Sequence, residues 1–118
     1  MEKKVIAIDI EGRGPSAIRN GIVSIGIALH NQKIRINVKP YPDQVMDEKC
    51  YSEFWKPLGT LHEELQKDAI EPSLAMGALR LILDNAEDAY IVCDTPAYDF
   101  YFINYYLDRE GLPLLRIV

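Results

Sequence analysis

Val5-Ile6-Ala7-Ile8-Asp9-Ile10-Glu11 is an apolar run close to the N-terminus that ends on two acids one residue apart. Such a run reads as a buried, central strand spanning about residues 4–10. Residues i and i+2 of a strand point to the same face. Asp9 and Glu11 therefore project side by side from the strand's exit. Left unpaired, two neighbouring carboxylates repel each other and suffer desolvation. Hard divalent cations, which prefer oxygen ligands, remove that conflict. Gly12-Arg13-Gly14-Pro15 then turns the strand into a loop.

Outward from this stretch, residues 21–29 read as a second strand, with the small residues Ser24, Gly26 and Ala28 on one face. Asn31-Gln32 supplies a tight turn, and Lys33-Ile34-Arg35-Ile36-Asn37-Val38-Lys39 alternates as a half-exposed third strand. Short links between three successive strands predict an antiparallel meander. Pro40-Tyr41-Pro42-Asp43 closes the sheet section.

The second half reads differently. Thr60-Leu61-His62-Glu63 has the form of a capping box, which would turn Leu61 and Leu65 inward. Leu74, Ala78, Leu81 and Ile82 keep helical spacing between about residues 73 and 86, and residues 89–93 form a short apolar run expected to be a buried strand. Thr95 and Pro96 suit the start of a further helix, along which Asp99, Phe102, Ile103, Tyr106 and Leu107 share one face. Asp99 thus sits at the N-terminal end of an apolar stripe. Gly111 and Pro113 stop that helix, and Leu114-Leu115-Arg116-Ile117-Val118 reads as the beginning of another strand. The expected fold class is α/β: a mixed sheet, with a three-strand antiparallel meander plus parallel strands, and flanking helices.

Composition narrows the function. The 118 residues are 48% hydrophobic and 26% charged, as expected of one globular domain. A net charge of −5 excludes an electrostatic footprint of the kind a DNA-coating protein needs. It does not exclude a nuclease, whose bound cations reverse the field of a carboxylate cluster. Cys50 and Cys93 have no metal-type spacing, and Cys93 reads as a buried free thiol. With no signal peptide and no membrane-length apolar stretch, the expectation is a reduced, intracellular (cytoplasmic) setting without membrane contact.

Phosphodiester hydrolysis needs clustered acids from several elements, because two cations about 3.5–4 Å apart stabilise both attacking and leaving oxygens. Asp9-Ile10-Glu11 resembles the first motif of the DnaQ-like (DEDD) 3′–5′ exonucleases, which have the ribonuclease H-like fold. Residues 22–28 resemble that family's second strand. Asp94-Thr95-Pro96-Ala97-Tyr98-Asp99-Phe100 is similar to its second motif, an aromatic-Asp pair opening a helix. Ser52-Glu53-Phe54-Trp55-Lys56 resembles the Phe-Trp segment of the phage exonuclease A and mycobacterial exoribonuclease-like branch. The resemblance implies catalytic and metal-ligating roles for Asp9, Glu11 and Asp99, with two Mg²⁺ or Mn²⁺ ions. Asp9 would bridge both cations, Glu11 would hold the water-activating one, and Asp99 would serve the second. Gly12, Arg13, Trp55 and Tyr98 become substrate-binding candidates for the 3′ end of single-stranded DNA or RNA. Arg13 and Arg19 would reach phosphate, and Trp55 with Phe54 would stack on a base or else wall the groove or core.

Two departures qualify the resemblance. Gly12 stands where a Thr often follows the first motif. The third motif, a His or Tyr followed four or five residues later by Asp, is missing, because the sequence stops at Val118 before that helix. His30 and His62 precede the second motif, and Tyr90 with Asp94 fall on a strand in the wrong order. The sequence therefore predicts a single exonuclease-like domain over residues 1–118, C-terminally truncated, with general base and fourth acid absent. Its unfinished sheet would associate with a second copy as a homodimer or with a missing C-terminal segment. The alternative is a non-catalytic ribonuclease H-like module that binds nucleic acid or protein.

Overall fold

Alternating isoleucines make the first strand one-sided. In the computed structural model, which describes residues 4–86 and 89–116, β1 (Val5–Gly12) buries Ile6, Ile8 and Ile10 and leaves Val5, Ala7 and Asp9 exposed. β2 (Ile22–Leu29) pairs antiparallel with β1, and β3 (Gln32–Asn37) pairs antiparallel with β2, so the expected meander forms. Pairing of Leu29 with Gln32 puts the turn at His30-Asn31, one residue earlier than expected, and His30 adopts a left-handed φ of 53°. β4 (Tyr90–Val92) lies parallel to β1, giving the sheet order β3-β2-β1-β4.

Among the described residues, four helices connect and cover the strands. α1 (Glu48–Cys50) is capped by the Asp47 side chain and runs on through a π turn (Tyr51–Trp55) and a 3-10 turn (Lys56–Leu58). α2 (Leu61–Lys67) and α3 (Pro72–Asp84) follow, and α4 (Pro96–Arg109) comes after β4. Ala75, Met76, Leu79 and Leu83 of α3 join Phe102, Ile103, Tyr106 and Leu107 of α4 against Ile6, Ile8, Ile10, Ile25, Ile27 and Ile36 of the sheet. α4 ends in a Schellman motif: Leu112 N–H reaches Leu107 O at 2.8 Å, Gly111 N–H reaches Asp108 O at 3.0 Å, and Gly111 has a φ of 70°.

Several expectations fail for identifiable reasons. The Thr60 hydroxyl bonds Glu64 instead of capping, so no capping box with Glu63 forms, and Leu61 is exposed. In α3 the core stripe starts one residue later than Leu74, leaving Leu74 and Leu81 in solvent. β4 is not buried: nothing pairs on its outer side among the described residues, and Tyr90 and Val92 are 55% and 45% exposed. Residues 112–116 form no strand, because Asn104 of α4 satisfies both backbone groups of Leu115 (N–H to Oδ1 2.7 Å, Nδ2–H to O 3.4 Å). Ile117 and Val118 lie outside the described residues.

Cross-strand register puts Ala7, Asp9 and Glu11 on the same face as Ser24, Gly26, Ala28, Lys33, Arg35 and Asn37. This is the face opposite the isoleucines, and none of the helices described packs its core stripe on it. The fold is therefore a four-stranded mixed α/β sheet with flanking helices and one open face carrying both N-terminal acids.

Candidate metal and nucleic-acid site

The site forms where two parallel strands part. β1 and β4 are paired only over Val5–Ala7 and Tyr90–Val92. Beyond that point β1 continues to Asp9, Ile10 and Glu11 while the chain leaves β4 for α4. Carboxyl ends of adjacent strands in α/β sheets are where ligands generally bind. Asp99, on the first turn of α4, fills the gap: its Oδ1 accepts the Ile10 N–H at 3.3 Å. Asp99 thereby contacts the β1 backbone between Asp9 and Glu11.

Asp99 is 2% exposed, and its second oxygen, Oδ2, is buried without a hydrogen-bond partner. A buried, half-satisfied carboxylate is costly. Burial raises the Asp99 pKa above the ordinary carboxylate value, the Ile10 amide lowers it, and Asp9 raises it again. Glu11 is raised as well, first by burial and then by Asp9, with Arg35 opposing and Asp99 adding to the shift. Cys93, half-buried, is pushed up to about 11 by burial and by the charges of Asp99, Asp9 and Asp94. These cross-influences mark a concentrated negative field. Among the described residues, however, no three His, Cys, Asp or Glu side chains are drawn together closely enough to hold a metal ion. Asp99 is held by a backbone amide while Asp9 turns to the open face, and like charges oppose closer approach. The carboxylate oxygens, the orphaned Asp99 Oδ2 among them, suit a hard cation.

The loop after Glu11 is locked rather than free. A register shift between Glu11 and Gly12 puts an extra β2 residue opposite this point, and such bulges re-aim side chains beside functional sites. Gly12 O accepts from Trp55 Nε1 at 3.1 Å and from Cys50 Sγ at 3.7 Å. A Cβ on Gly12 would lie 2.5 Å from Tyr98 Oη. A side chain at this position would require the Tyr98 hydroxyl to move. Gly21 has a φ of 79°, and a Cβ there would collide with Tyr106 Oη and Gln44 Oε1.

Two substrate-binding expectations are corrected here. Arg13 is only 3% exposed, and its guanidinium donates to Ile22 O (2.6 Å), Val38 O (2.7 Å) and Gln66 Oε1 (3.1 Å). Two of these bonds go to backbone carbonyls and one to the Gln66 side chain, so it staples the loop to the sheet and α2 instead of reaching phosphate. Trp55 is 1% exposed, with His62 and Phe54 packed edge-on against it, and offers no face for a base. Tyr98 is half-buried, packs on Phe102 and donates weakly to Gly14 O at 3.5 Å. Burial first, then nearby Cys50 and Glu11, push its phenol up to about 12. Arg19 remains exposed.

Sequence reading missed a polar chain on the open face. Arg35 Nη1 donates to Ser24 Oγ (2.8 Å), Ser24 Oγ to Asn37 Oδ1 (2.9 Å), and Asn37 Nδ2 to Asp68 Oδ1 (2.9 Å). Ser24 pairs across from Glu11, and Gly26 stands between Asp9 and Arg35. The alternation of small residues in β2 and polar ones in β3 was visible, but only the register places them in rows with the acids.

No protein-family profile and no curated protein matches the sequence. Among solved structures, the chain is similar to the crystal structure of E. coli Exonuclease I in complex with a dT13 oligonucleotide. The TM-score is 0.76 at 10% identity, covering 94% of this chain and 25% of that one. The chain thus spans about a quarter of that protein's length and has an α/β fold consistent with the ribonuclease H-like class. No helix among the described residues is long and apolar enough to cross a membrane.

Two outcomes follow from the buried charges. Because Asp99 and Glu11 have folded-state pKa values above the ordinary 3.8 and 4.5, the folded state holds their protons more tightly than the unfolded chain does. Their contribution to stability is then greatest at and below the ordinary carboxylate range and falls as pH rises through the raised values. Asp99→Asn keeps an oxygen for the Ile10 amide, so in metal-free buffer it should raise the melting temperature at pH 7 and narrow the gain seen on acidification. A lower melting temperature would contradict this account. Arg13→Ala should cost roughly 3 kcal/mol or more in urea unfolding, because it strands buried carbonyls. Arg13→Lys should recover only part of that, lacking the planar fork; a loss within the range of an ordinary surface substitution would restore the phosphate reading.

Proposed function

We propose that residues 1–118 form a single DnaQ-like (DEDD) exonuclease domain that hydrolyses phosphodiester bonds at 3′ ends of single-stranded DNA or RNA with Mg²⁺ or Mn²⁺. The observation that carries this reading is the buried, unpartnered Asp99 Oδ2 beside the β1 acids, where β1 and β4 part. A fold shared with an exonuclease supports it. Asp9, Glu11 and Asp99 would hold the cations. When bound, a divalent cation supplies Lewis-acid polarisation of a phosphoryl oxygen. The chain's own part is to keep water from Asp99 through the α4 stripe, to fix Asp99 by the Ile10 amide, and to hold the Gly12 loop rigid through Trp55 and Arg13. On this reading the resemblance of the Phe54-Trp55 segment would assign the domain to the phage exonuclease A and exoribonuclease-like branch, with Trp55 in a supporting role. An intracellular setting suits both substrates.

A second reading, a non-catalytic module binding nucleic acid or protein, draws on the three acids not being gathered into a ligating cluster among the described residues. The general base and fourth ligand of the third motif have no counterpart in the sequence. Since general-base assistance typically contributes 10²–10⁴-fold, turnover by these 118 residues should be slow.

The deciding experiment pairs calorimetry with turnover. Mn²⁺ titration should give a binding isotherm with the wild-type chain and none with Asp9→Asn, and Mn²⁺-dependent release of mononucleotides from 3′-labelled strands should follow the same order. Equal heats and equal release from both proteins would remove Asp9 from the site and leave the binding-module reading.

A further inference from the structure

The open sheet face carries a groove of about 560 Å³ beside the acids. Its floor is Ala7, Gly26 and Ala28. Asp9, with Asp94 beyond it, stands on the β1–β4 side, and Lys33 and Arg35 stand on the β3 side. The backbone does not require Gly26. A Cβ there would meet only Asp9 O, at an ordinary 3.6 Å, and its φ is not in the left-handed region. What the missing side chain provides is open space in the row between Asp9 and Arg35.

Charge decides what fits. The β1–β4 wall repels phosphate and attracts cations, whereas the β3 wall does the reverse. Lys33 is exposed and makes no ion pair among the described residues. Arg35 commits one amino group to Ser24 and remains exposed. A nucleic-acid strand carries one negative charge per nucleotide and has apolar base faces. It matches a groove with cations on one side and a small-residue floor between.

We propose that this groove is the track for the single strand leading to the acids, with Lys33 and Arg35 contacting backbone phosphates and the Ala7-Gly26-Ala28 floor admitting a nucleotide. The proposal rests on the exonuclease reading, because it assigns the β1 wall to that site's cations.

The test is binding of a fluorescein-labelled oligo-dT strand in Ca²⁺, read by anisotropy across a salt series, with Mn²⁺ calorimetry as control. Lys33→Ala should weaken binding and reduce the log–log salt slope by about 0.7, the value for one lost single-strand phosphate contact, while leaving Mn²⁺ heats unchanged. Gly26→Leu fills the groove and should weaken binding at least tenfold, with thermal unfolding checking that the variant folds. If both variants bind like wild type, or wild type does not bind, the track is overturned. The exonuclease reading stands or falls separately, by Asp9→Asn. A concentration-dependent dimer, by sedimentation, that Gly26→Leu dissociates would assign the face to a second copy and also overturn the track.

Discussion

The carboxylate of Asp99 on the Ile10 amide is the contact around which the rest is arranged. It occurs where β1 has lost its β4 partner, so a backbone donor that would otherwise be buried unpaired is satisfied by a side chain from α4. That bond sets the position of α4's first turn against the carboxyl end of β1. It also fixes which way the apolar stripe Phe102-Ile103-Tyr106-Leu107 faces, since Asp99 begins that stripe. One carboxylate oxygen is thereby satisfied, and the other is left buried and unmatched. Elsewhere in the described core, buried polar side chains such as Arg13, Ser24 and Gln44 are bonded.

A second set of contacts holds the loop that follows the acids. Trp55, Cys50 and Arg13 converge on the backbone around Gly12 and the start of β2, while Gln44 and Tyr106 close on Gly21. The partners come from residues 9 to 84 positions away, so the rigidity of the loop depends on the completed fold. Arg13 is consequently committed to holding the loop, whereas Lys33 and Arg35 on the open sheet face stay exposed.

Elements defined by local periodicity were legible in the sequence: the isoleucine alternation of β1 and β2, the alternation of β3, and the stripe of α4 that carries Asp99. The pairing of Asp9 and Glu11 on one face follows from the strand period alone; that Asp99 takes the Ile10 amide between them was not visible in the sequence. What was hidden depends on contacts between distant residues. Arg13 and Trp55 look like exposed recognition residues until the carbonyls of Ile22, Val38 and Gly12 are brought to them. Leu115 reads as strand because its polar partner, Asn104, lies on a helix face the sequence does not single out. The role of Arg35 and the opening left by Gly26 emerge only from cross-strand register.

The central claim is that the buried Asp99 carboxylate and the exposed Asp9 share a divalent cation. Anomalous diffraction from crystals grown with Mn²⁺ tests it most directly. The account predicts a peak within roughly 2.0–2.6 Å of oxygens from both Asp9 and Asp99, in the range of hard-cation coordination, with Asp99 Oδ2 as one ligand. A peak held elsewhere, or none while Asp99 Oδ2 stays buried and unbound, would contradict it.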